Sequence, residues 1–128
     1  MKFHHFSVLV DDQAKALKFY TEVLGFVLKM DMPMGQYRWL TVAQTHEPDG
    51  MALLLEPNAH PAALAFQQKM FADRIPLASF LVDDIHQEVS RMQSLGVTFV
   101  EQPTVMGPVS VAMFDDTCGN HIQLIQKL

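Results

Sequence analysis

The phrase Leu-Val-Asp-Asp occurs twice in this chain, at 9–12 and again at 81–84, an offset of 72 residues. Each copy closes a short apolar run and opens an amphipathic one that ends in Leu-Gly, at Leu24-Gly25 and Leu95-Gly96. Met34-Gly35 is answered by Met106-Gly107 at the same offset. A glycine-terminated loop precedes the last strand pattern of each half, at Asp49-Gly50 and Cys118-Gly119. Two copies of one pattern imply two copies of one supersecondary unit, and this constrains the fold more than any composition does.

In the first copy, Phe6, Val8 and Val10 alternate with His5, Ser7 and Leu9, the period of a half-buried strand over 3–10. Asp11 or Asp12 is placed to cap a helix that reaches about Leu24, with Leu17, Tyr20, Val23 and Leu24 as its apolar stripe. Strands are expected at 26–30, 37–42 and 51–56. They are separated by the turn Met32-Pro33-Met34-Gly35 and the polar loop 44–50. Residues 57–76 have no counterpart, and Pro61 suits the first turn of a helix there. In the second copy, Ala78, Phe80 and Val82 alternate with Leu77, Ser79 and Leu81. Ile85, Val89, Met92 and Leu95 then follow helical spacing, and strands are expected at 97–100, 109–114 and 121–126. The expectation is an α+β fold of two βαβββ modules, 1–56 and 77–128, joined by a helical linker over 57–76 into one structural domain.

Charge and cysteine content narrow the function classes. A net charge of −5 without any Lys/Arg cluster argues against a nucleic-acid partner. No apolar stretch has the length of a membrane span or a signal-peptide core, so no membrane partner and a cytoplasmic location are expected. The lone Cys118 cannot form an intrachain disulfide, which fits a reducing compartment, and no cation beside it suggests an activated thiolate. Nucleophile triads, phosphate-cradling glycine loops and CxxC zinc spacings are absent. Asp11, Asp12, Asp83 and Asp84 read as helix caps and carry no acid-base role.

Three stretches carry a resemblance. The opening His5-Phe6-Ser7-Val8-Leu9-Val10-Asp11-Asp12, then Phe19-Tyr20 with Leu24-Gly25-Phe26, and the closing Asp-Asp-Thr-Cys-Gly-Asn-His-Ile-Gln-Leu over 115–124 resemble the vicinal-oxygen-chelate superfamily. That group includes glyoxalase I, bleomycin-resistance proteins, fosfomycin-resistance transferases and extradiol dioxygenases. The resemblance spans the chain apart from 57–76. It implies that each module is a curved mixed sheet, that the two pair into an open barrel around a cavity with helices outside, and that the chain forms a homodimer.

The resemblance also implies where a divalent metal would sit. The family's four ligand positions correspond to His5, Leu54, Leu77 and Gln123. Leucine cannot ligate, and glutamine lacks the negative charge that hard cations favour. A metal such as Ni, Zn, Mn or Fe would therefore rest on His5 and Gln123, joined by Glu56 and His121, which share strand parity with Leu54 and Gln123. A two-residue step along a strand displaces a side chain by ~6.5 Å, which would reshape such a site.

The candidate ligand-binding residues are His5, Ser7, Trp39 and Leu54 in the first module. Leu77, Ser79, Met113, His121 and Gln123 complete the set in the second. They mix an apolar wall with a few polar groups, as small-molecule sites do, and methionine reshapes readily around apolar ligands. The function expected from this set is binding of an apolar or aromatic small molecule, with at most a degenerate metal site. The alternative is a metal-dependent lyase or isomerase of the glyoxalase kind, acting on a vicinal dioxygen substrate with Glu56 as base.

Overall fold

The computed structural model describes residues 1–128, and the chain divides into two compact units, Met1–Phe66 and Gln67–Leu128. In the first unit, strand β1 (His5–Val10) leads into α1 (Gln13–Lys18), which widens into a π-helical turn over Phe19–Val23. Strands β2 (Val27–Met34), β3 (Tyr37–Ala43) and β4 (Ala52–Pro57) follow. The sheet order is β1-β4-β3-β2, with β1 parallel to β4 and the other pairs antiparallel. Helix α2 (Pro61–Ala72) crosses the boundary between the units.

The second unit repeats the order with β5 (Ala78–Leu81), α3 (Ile85–Ser94), β6 (Phe99–Met106), β7 (Val109–Asp115) and β8 (His121–Lys127). Its sheet order is β5-β8-β7-β6, again with the first pair parallel. The fold is thus α+β, two four-stranded mixed sheets each in βαβββ order. No helix is long and apolar enough to cross a membrane.

The duplicated Asp-Asp phrase does the same work in both copies. Asp12 accepts from the Lys15 N–H at 2.9 Å and Asp84 from the Gln87 N–H at 3.0 Å, so each satisfies an amide the new helix leaves unpaired. Each helix then lies on one face of its own sheet. Ala16, Phe19 and Tyr20 are buried together with Val8, Val10, Leu40, Val42 and Leu55. In the second unit Ile85, Val89 and Met92 are buried with Ala112, Phe114, Ile122 and Leu124. Phe6, expected in the helix-facing row, is exposed, since that row is covered only from Val8 onward.

Two strands run further than their sequence pattern suggests. β2 continues through Pro33 to Met34, where a turn is expected, and β6 runs through Pro103 to Met106, beyond the strand end expected at 100. Both are edge strands, and an edge strand tolerates a proline because one side of it needs no ladder bond. Each then reverses in two residues, Gly35-Gln36 and Gly107-Pro108, whose first member has positive φ (+61° and +59°).

Candidate functional site

Strand register draws one row across each sheet. In the first unit Ser7 stands beside Leu54, Leu54 beside Thr41, and Thr41 beside Met30. In the second, Ser79 stands beside Gln123, Gln123 beside Met113, and Met113 beside Glu101. Directly opposed residues share a face, and the alternate residues are those buried under the helix. Each row therefore lies on the face turned away from its own helix. The rows also match position by position, so Leu54 and Gln123 are structural equivalents, as are Ser7 and Ser79.

The first unit's row is flanked by rings and methionines. Trp39, two residues before Thr41, stands opposite Met32, and Tyr37 opposite Met34. The His5 ring meets the Trp39 ring edge-on, with centroids 5.2 Å apart and planes at 87°. His4 lies with its Nδ1 3.0 Å from the Nδ1 of His5. Glu56, on the parity of Leu54, is exposed beside Leu9. The sequence pattern ends β2 at Met30, so it does not place Met32 on a strand face. Only the Met34–Tyr37 pairing across the turn shows that the methionines share the face of Trp39.

The second unit's row is more polar. The Ser79 hydroxyl donates to Gln123 Oε1 at 3.0 Å. His121, one alternation before Gln123, is buried opposite Asp115, and its Nδ1 has no hydrogen-bond partner. Its ring stacks on Phe71 of α2, with centroids 4.1 Å apart and planes at 13°. Leu77 precedes β5 and donates its N–H to the His121 carbonyl at 3.0 Å. Nothing in the sequence pairs Phe71 with His121, since α2 has no repeat partner.

The turn before His121 is built for rigidity. Asp116 accepts from the Cys118 and Asn120 N–H groups at 2.8 and 3.0 Å and from the Asn120 side-chain amide at 2.7 Å. Gln67 of α2 donates to the Cys118 carbonyl and to Asn120 Oδ1, at 3.2 and 3.0 Å. Gly119 lets it approach. The backbone there has φ +103°, and an added Cβ would stand 2.7 Å from the Gln67 amide nitrogen. The closing phrase and the fully buried Cys118 thus fix where β8 begins and so where Gln123 stands.

A divalent cation does not fit the residues present. No group of three or more His, Cys, Asp or Glu side chains is gathered that could hold one. Of the positions at which the resemblance implies ligands, Leu54 and Leu77 carry no donor atom, and the Gln123 oxygen already accepts from Ser79. Charge at the surface is local instead. Across β2 and β3, the Arg38 guanidinium donates twice to Asp31, at 3.0 and 2.7 Å. That hydrogen bonding holds the Asp31 carboxyl below its ordinary value and pushes Arg38 up.

Comparison with known proteins gives a consistent set. The model of the Glyoxalase/Bleomycin resistance protein/Dioxygenase superfamily matches residues 2–124. The uncharacterized protein YurT of Bacillus subtilis (strain 168) is 53% identical over 121 residues, 94% of this chain and 95% of its own length. The crystal structure of UcmS2 superposes with a TM-score of 0.83 at 31% identity, covering 98% of this chain and 97% of that one. TnmS3, an antibiotic binding protein from Streptomyces sp. CB03234, gives 0.79 at 32% identity, covering 100% and 97%.

Proposed function

Since this chain belongs to the Glyoxalase/Bleomycin resistance protein/Dioxygenase superfamily, we propose that it binds an apolar or aromatic small molecule and does so without a metal. The observation that carries this reading is the face of the first unit. There the ligand position of the metal-dependent members holds Leu54, while Trp39 and His5 form an edge-on ring pair beside Met32. An indole with its neighbouring ring stacks on a planar ligand, and the thioethers adapt around it. Ser7 on this face, and Ser79, Met113, His121 and Gln123 on the corresponding face of the second unit, are the proposed polar and apolar contacts. The full-length likeness to TnmS3 supports binding of a drug-like molecule over catalysis. A homodimer and a cytoplasmic location are part of the same proposal.

Trp39 is the only tryptophan, so its emission reports binding directly. Titration with a panel of aromatic compounds, beginning with 8-anilinonaphthalene-1-sulfonate, is expected to quench it saturably and equally with and without EDTA. Calorimetry on Trp39→Ala should show at least about a tenfold loss of affinity, as expected for removal of an aromatic anchor. Stoichiometric Ni, Zn, Mn or Fe, lost on His5→Ala, would overturn the reading in favour of a lyase with Glu56 as base. Size-exclusion with light scattering checks the dimer.

A further inference from the structure

Trp39 leaves the sheet next to a backbone position that the sheet itself cannot satisfy. Arg38 stands opposite Pro33 of β2. On its other side, β3 pairs with β4 only at Thr41–Leu54 and Val42–Leu53, and continuing that register brings Arg38 opposite Pro57. Arg38 turns both its N–H and its carbonyl to the β4 side, where Gln13 meets them, and Pro57 has no N–H to offer that carbonyl. An unpaired backbone amide in this half-buried position is costly, so another group must supply the bonds.

Gln13 supplies them. Its side-chain amide donates to the Arg38 carbonyl at 2.7 Å and the Leu55 carbonyl at 2.9 Å, and its oxygen accepts from the Arg38 N–H at 3.0 Å. Both N–H bonds and the oxygen are engaged, and a side chain from the first turn of α1 stands in for a stretch of ladder. The second unit has no such device. There β7 and β8 pair without interruption from Val109–Lys127 to Asp115–His121, and Ser110, the equivalent of Arg38, meets Gln126.

We propose that Gln13 is a positioning residue for Trp39. It fixes the piece of β3 from which the indole is presented, and so sets the geometry of the ring pair with His5. Its consequence for affinity rests on the binding function given above. Its effect on Trp39 does not. A residue that merely held the fold together would loosen the whole unit when removed. A positioning residue loosens Arg38 and Trp39 first.

The test compares wild type with Gln13→Met, which keeps the side-chain length and removes all three bonds. Amide hydrogen exchange at Arg38 should accelerate roughly tenfold or more, the effect of losing an ordinary backbone hydrogen bond, while Leu40, Val42 and the amides of β7 keep their rates. Acrylamide quenching of Trp39 should rise with it, and 8-anilinonaphthalene-1-sulfonate should bind several-fold more weakly. Unchanged exchange at Arg38 and unchanged quenching would overturn the proposal, as would uniform acceleration across the unit. If Gln13→Met does not fold, Gln13→Met/Pro57→Gln decides instead. It gives β4 the N–H that Gln126 brings to β8, so that residue 57 can donate to the Arg38 carbonyl and its own carbonyl can accept the Arg38 N–H; Arg38 protection should then return, and failure to restore it overturns the proposal. If no aromatic probe binds even wild type, the binding function falls, while exchange and quenching still decide the role of Gln13.

Discussion

At one point in their sheets the two units meet the same need from opposite directions. In the first, where continuing the β3–β4 register would bring Pro57 to Arg38, a glutamine on the helix, Gln13, reaches down to the strands. In the second, β8 reaches Ser110 with Gln126, and that glutamine's side chain reaches up, its Oε1 accepting from the Ile85 N–H at 3.0 Å. Ile85 and Gln13 occupy equivalent positions, each the first residue of its helix. The helix is tied to the sheet in both units, but the tying residue has changed sides. Helix–sheet attachment at this point is therefore a geometric requirement of the βαβββ unit, and the residue that meets it is free to move. The faces diverge in the same manner. Ser-Leu-Thr-Met crosses the first sheet and Ser-Gln-Met-Glu the second, on backbones that correspond.

Substitutions that erase a difference between the units test this comparison most directly. The largest effect is expected in the second core. Phe114, fully buried against Phe99 with ring centroids 5.7 Å apart, stands where the first unit has Val42. Phe114→Ala should cost about 3–5 kcal/mol in urea unfolding, the usual range for a buried ring replaced by a void. A loss below 1 kcal/mol would mean that this core collapses around the change. Next comes the β8 turn. Gly119→Ala should cost about 1–3 kcal/mol, because the new Cβ meets both a strained φ and the Gln67 amide. Pairing it with Gln67→Ala removes the steric part and leaves the φ part, so the two effects should not add.

A smaller effect follows from cutting the second unit's tie. Gln126→Leu leaves the Ile85 N–H without its partner and should cost about 1 kcal/mol, with faster exchange confined to the start of α3. Should the loss spread through β7 and β8, the side chain holds the ladder as well as the helix.

The smallest effect is electrostatic and confined to the first unit, whose Asp31–Arg38 pair corresponds to Pro103 and Ser110 in the second. Asp31 has a lowered pKa, so its contribution is present above the unfolded carboxylate value of roughly 4 and is lost as pH falls through the folded one. Chemical denaturation of wild type and Asp31→Asn should differ by a small constant above that value, converge below it, and differ less in high salt. A gap that persists at low pH would assign the effect to packing.

Much of this organisation is legible in the chain. Asp12 and Asp84 cap their helices where the repeated phrase places them, and Leu54 falls at the structural equivalent of Gln123. The alternation of His5, Ser7 and Leu9 against Val8 and Val10 separates the two faces of β1. Phe6, Pro33 and Pro103 are the instructive exceptions. Phe6 has the pattern of a core residue but lies beyond the reach of its helix. The two prolines look like strand breakers but sit at sheet edges, where a missing N–H has no partner to disappoint. Phe71 against His121 and Gln13 between β3 and β4 are contacts between elements far apart in sequence, and no local period encodes them.

By itself the sequence determined what is local and what is repeated: the two βαβββ units, their caps, the alternation along β1 from Ser7 onward, and which residues are twins. Those follow from side-chain periodicity and from Gly, Pro and Asp chemistry acting within a few residues. The tertiary structure decided which strands are edges, how far β2 and β6 run, and which side chain meets a backbone group left bare by proline. Each of these depends on what lies opposite in the fold, because a backbone donor or acceptor must find its partner across the sheet wherever the chain brings one.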